Sequence, residues 1–168
     1  MFAFEAQQVA GTSWAFSHLG FLDTPLLDAL SAAALASLQQ FEPQNVSITS
    51  WSFAALEVSN QPLMNALASE ALPKLAEFGL QELSNTSWAF AKLGLLHSPL
   101  LAAISSSAIA KIGEFDHQGL ANIAWSLSAL SVEDGSLLNA LSEAALAPMD
   151  LFLPMDLSRM SWSFASMA

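Results

Sequence analysis

The stretch Asn85-Thr-Ser-Trp-Ala-Phe-Ala-Lys-Leu-Gly94 decides the fold, because close variants of it return along the whole chain: GTSWAFSHLG at 11–20, ITSWSFAALE at 48–57, NIAWSLSALS at 122–131 and RMSWSFASMA at 159–168. Trp14, Trp51, Trp88, Trp125 and Trp162 therefore recur at a spacing of 37 residues without an insertion, and they are all five tryptophans of the 168-residue chain. Fixed self-similarity at such a period is the mark of a repeat array. Working outward from each Trp, the register holds. Ten residues before it stand Phe4, Phe41, Phe78, Phe115 and Phe152, and seven before it Gln7, Gln44, Gln81 and Gln118, with Met155 in the fifth unit. Five after it come Leu19, Leu56, Leu93, Leu130 and Met167, and eleven after it Pro25, Pro62 and Pro99, with Ser136 in the fourth unit.

The pattern divides the chain into units 4–40, 41–77, 78–114 and 115–151 and a partial unit 152–168, together one array over 1–168. Because the last unit is partial, the array reads as a fragment of a longer one, whose uncovered ends are expected to self-associate. Each unit predicts two helices. Helix A opens near the Gln position, where Pro43 and Pro154 suit a first turn and Glu42 or Asp116 favours the positive end of the helix dipole. Residues five and two before the Trp, then two and five after it, form an apolar stripe at helical spacing; in the third unit these are Leu83, Thr86, Phe90 and Leu93. Helix B opens at Thr24-Pro25 or Ser98-Pro99, a capping hydroxyl ahead of a first-turn proline, and Lys74 and Lys111 fall in its last turn. One such hairpin cannot cover its own apolar faces. The expected architecture is an all-α, right-handed α-solenoid of helical hairpins, about four and a half units long.

Composition agrees. Apolar residues make up 54% of the chain and charged residues 11%, as expected where most helical faces meet another helix. With no cysteine, disulfides, thiol catalysis and thiolate metal sites are excluded. His18, His97 and His117 share neither a repeat position nor ligand spacing, so no metal or other cofactor is expected. No serine, histidine and acid set is marked out, and the chain reads as a non-enzyme. The longest uncharged stretches, Leu93 to Ala110 among them, are broken by the repeat frame into separate helices, which argues against a membrane span. No targeting segment is visible ahead of the first unit.

A solenoid acts through the long surface that its stacked helices present. On helix A the positions six and three before the Trp, and one and four after it, escape the apolar stripe and vary between units. They supply the candidate binding face: Gln8, His18, Asn45, Ser52, Asn85, Lys92, Asn122, Ser126 and Arg159, with Glu82 and Asp156 balancing Lys92 and Arg159. A Trp in every unit reads first as packing, and the Gln row in the first turn reads first as capping.

Phe115-x-x-Gln118-x-Leu120-Ala121-Asn122-x-x-Trp125 and the stretch 85–94 closely resemble the octotricopeptide repeat, a helical-hairpin repeat of organellar proteins. The resemblance spans the chain. It implies sequence-selective binding of single-stranded RNA in the chloroplast or mitochondrion, in support of transcript stability, processing or translation. The charge implies something else. With four Lys and Arg against 15 Asp and Glu, the net charge is −11, which suits a basic partner better than a phosphate backbone. The competing expectation is therefore a scaffold that holds an extended, basic peptide; neither reading involves a DNA duplex or a membrane.

Overall fold

In the computed structural model of the protein, residues 4–132, 134–146 and 152–166 are described, and Met167, read above as the fifth member of the Leu position, lies outside them. All regular structure among these residues is helical. Five A helices, α1 (Ala6–Leu19), α3 (Pro43–Ala55), α5 (Leu80–Lys92), α7 (His117–Ala129) and α9 (Pro154–Ser166), alternate with four B helices, α2 (Thr24–Ser37), α4 (Gln61–Ala71), α6 (Ser98–Ala110) and α8 (Gly135–Leu146). Each A helix packs along its length on the next, α1 on α3, α3 on α5, α5 on α7 and α7 on α9. Successive B helices touch more sparsely, so the A helices form the tighter layer.

The local signals explain where the elements stop. Every B helix is capped by the residue one before the hydroxyl position: Asp23, Asn60 and Asp134 accept from the backbone N–H groups of Leu26, Leu63 and Leu137, and His97 accepts from Leu100 through Nδ1. Thr24 and Ser98 are thus the first helical residues rather than the caps, and the proline after each lies in the first turn, where its missing N–H costs no intrahelical bond. The first four A helices end alike. Gly20, Glu57, Gly94 and Ser131 all have positive φ, between 53° and 65°. Their N–H groups and those of Phe21, Val58, Leu95 and Val132 bond back to carbonyls inside the helix, the doubly bonded left-handed ending that favours glycine. Ser131→Gly should therefore stabilise the chain by about 0.5–1 kcal/mol, read as a rise in urea midpoint at constant m-value. The opposite exchange, Gly94→Ala, should cost about as much.

Lys74 and Lys111 lie beyond the B helices, in or next to 3₁₀ turns at 72–77 and 112–114. Their ammonium groups donate to the carbonyls of Phe41 and Phe78, each at 2.5 Å, tying the end of one hairpin to its own beginning. Lys74 also pairs with Glu70 at 2.9 Å.

The core is one cluster running through the chain. Phe41, Phe53, Phe78 and Phe90 are fully enclosed, with Phe115 and Phe152 nearly so. Phe4, at the first position of the same series, is 48% exposed. The A-helix stripe is buried as expected at Val46, Leu83, Leu120, Phe53, Phe90 and Leu127. Thr49 and Thr86 share the stripe with unpaired hydroxyls, at positions where the fourth and fifth units carry Ile123 and Met160.

Candidate nucleic-acid interface

The outward face of the A layer is built from four positions per helix: seven and three before the Trp, the Trp itself, and four after it. In α5 these are Gln81, Asn85, Trp88 and Lys92, all exposed or half-buried, and in α7 Gln118, Asn122, Trp125 and Ala129. At about 100° per residue their mean direction differs by about 50° from that of the set chosen from sequence. Two of the four expected positions consequently leave the face, and two others join it.

The position one after the Trp is in the seam between A helices. Ser52, Ser126 and Ser163 are buried there, not presented to a ligand, and each Oγ donates to the carbonyl four residues earlier, Ile48 at 2.7 Å, Asn122 at 2.6 Å and Arg159 at 2.7 Å. A hydroxyl satisfied by its own helix needs no solvent, which is why serine serves here as a small seam residue. In α1, α3 and α9 the position six before the Trp takes part in capping. Gln8 Oε1 accepts from Glu5 N–H at 3.1 Å and Asn45 Oδ1 from Glu42 N–H at 3.0 Å, each completing a reciprocal capping box. In α9 the same position is Asp156, buried, with Oδ2 accepting from Leu153 N–H at 3.3 Å and lying 2.8 Å from His117 Nδ1. Asp116 caps α7 by accepting from Gly119 N–H at 2.7 Å.

The Gln row is thereby released. Gln7, Gln44, Gln81 and Gln118 are second residues of their helices, exposed, and their side-chain amides have no partner among the described residues. The repeated Gln, read from sequence as a cap, faces outward; the Trp, read as packing, does both, with Trp51, Trp88 and Trp125 half-buried, Trp88 against the core, and Trp14 and Trp162 exposed. Trp51 and Trp88 lie with ring centroids 6.1 Å apart at 31°, while Trp14 stacks on His18 at 5.2 Å and 10°.

The position three before the Trp stays on the face, and its members meet across units: Arg159 Nη1 donates to Asn122 Oδ1 at 3.0 Å. Asn85 is half-buried beside them. Lys92 is engaged with Glu57 at 2.7 Å; this hydrogen bond, and then the charge of the ammonium, hold the Glu57 carboxyl below its ordinary range. Two depressions result. One, of about 450 Å³, crosses four A helices and is lined by Gly11, Trp14, Ile48, Trp51, Gln81, Asn85 and Gln118. The other, about 390 Å³, lies between α5 and α7 over Ser84, Asn85, Glu114, Asp116, Gln118, Gly119 and Asn122. Gly119 lines its wall, packed so closely on the helix start that a Cβ there would stand 2.7 Å from Phe115 and 3.1 Å from Asp116 Oδ1.

No cluster of three or more His, Asp and Glu able to hold a metal ion occurs among the described residues, and no described helix is long and apolar enough to cross a membrane. Periodic indoles alternating with free amides over a grooved, all-helical layer define a helical, repeat-like protein. Residues 1–168 match the family of RNA-editing substrate-binding complex 6 protein, and the chain belongs to that RNA-associated family. The match reaches this family and not the octotricopeptide repeat in particular. Comparison with curated proteins gives no match.

Proposed function

We propose that the chain binds single-stranded RNA along the outward face of its A helices, sequence-selectively and without catalysis. The helices on this reading form a right-handed α-solenoid, and the protein serves transcript stability, processing or translation in an organelle. One observation carries it: in a chain of an RNA-associated family, a groove crosses four consecutive A helices and is lined by Trp14, Trp51, Gln81, Asn85 and Gln118. Indoles stack on bases and amides bond to base edges, the two contacts by which unpaired RNA is read. Fluorescence anisotropy with a pool of single-stranded RNA tests the binding. A dissociation constant no tighter than about 10⁻⁴ M at low salt removes the reading. Imaging of a fluorescent fusion separates mitochondrion from chloroplast.

The net charge of −11 favours a second occupant, an extended basic peptide whose main chain the amides would bond. Competition between RNA and a lysine-rich peptide for the same face distinguishes the two.

A further inference from the structure

The four Lys and Arg side chains all have partners within the chain: Lys74 pairs with Glu70 and Lys92 with Glu57, while Lys111 and Arg159 keep their charge and donate to the neutral oxygens of Phe78 and Asn122. Carboxylates also stand at the helix N-termini at the Gln end of the face, Glu82 and Asp156 in the first turns of α5 and α9. The N-termini of α1, α3 and α7 are covered by the carboxylates of Glu5, Glu42 and Asp116, and Glu114 and Asp116 border the groove between α5 and α7. Yet the face is rich in neutral groups suited to bases: the free amides of Gln44, Gln81 and Gln118 and the tilted indole pair Trp51 and Trp88.

From this we infer that the face takes a single strand with its bases turned inward, onto the Gln and Trp rows, and its phosphates turned out to solvent, neutralised by counterions and not by the protein. The inference rests on the RNA reading above and specifies its mode. Ordinary nucleic-acid binding releases condensed counterions, so that affinity for a single strand falls with salt with a logarithmic slope of about −0.7 per phosphate neutralised. Here the four Lys and Arg are outnumbered by 15 Asp and Glu, and phosphates held out in solvent keep their counterions. Repulsion between the strand and an acidic protein is instead screened as salt rises.

The test is titration of the 168-residue chain, followed by tryptophan fluorescence and anisotropy, with a mixed-sequence single-stranded RNA between about 50 and 200 mM salt. A morpholino oligomer of the same base sequence, which has an uncharged backbone, is titrated in parallel. The expected result is an RNA affinity that is flat or rises with salt, and a morpholino bound at least as tightly as the RNA. Trp51→Ala and Trp88→Ala should each weaken both ligands by about 5- to 150-fold, the loss of one stacked base. Gln81→Ala and Gln118→Ala, at exposed positions that leave helicity by circular dichroism unchanged, should also weaken both. An RNA slope of −0.7 or steeper, or a morpholino that fails to bind while RNA binds, overturns the base-inward mode and leaves the RNA reading standing. Failure of both oligomers to bind, with a lysine-rich peptide bound instead, overturns both.

Discussion

Phe78→Ala is expected to destabilise the protein by about 3–5 kcal/mol, the cost of truncating an enclosed aromatic side chain and leaving a cavity. Phe78 has no exposed surface and belongs to the continuous core. Its carbonyl also receives Lys111 Nζ, so the side chain and main chain of one residue together close the junction into α5. The matched control is Phe4→Ala. Phe4 occupies the same repeat position but is 48% exposed, and its truncation should cost well under 1 kcal/mol. Urea unfolding followed by circular dichroism measures both. Equal losses at the two positions would mean that the burial pattern described here is not the one in solution.

The second large effect is expected at Asp156, which is 2% exposed. Its Oδ2 faces both Leu153 N–H in its own helix and His117 Nδ1 in α7, so one carboxylate caps α9 and ties it to its neighbour. Asp156→Ala should cost about 2–3 kcal/mol, as a cap and a hydrogen bond to a charged group are lost together. Asp156→Asn retains an acceptor and should cost less. Because α9 packs chiefly on α7, the loss should appear as local release of α9 before the rest unfolds. Trp162, within α9, reports it. In a background where the other four tryptophans are Phe, its emission should shift at lower urea than the far-ultraviolet signal. Coincident transitions that leave the midpoint unchanged would contradict the role given to this carboxylate.

Much of the architecture is legible in the sequence because the signals are local and repeated. The apolar stripe through Val46, Leu83 and Leu120 reads as a helical face and is buried as one. Likewise Asp116 reads as a helix start and caps α7. The binding face was less legible. Small and hydroxyl side chains at Ser52 and Ser126 have the composition of a solvated surface, but each hydroxyl is satisfied within its own helix, so the pair can be sealed in a seam. Conversely, Trp in all five units and Gln in four of them suggest scaffold, although their constancy fits a row of identical contacts equally well. A signal that separates these was present. Glu5 with Gln8 and Glu42 with Asn45 stand three residues apart, as a reciprocal capping box requires, and recognising the box relieves the neighbouring Gln of that task.

The sequence by itself determined the period, the helical hairpin and the residues that must be hidden from water, since each follows from the spacing of apolar side chains along one chain. Only the tertiary structure decided how far each A helix is turned about its axis, because that angle is fixed by three neighbours at once: the helix before, the helix after and the B helix behind. The same packing decided that Lys74, Lys92, Lys111 and Arg159 find their partners at home. Charge can be counted from a sequence, but whether a charge is free depends on what folding brings within reach of it.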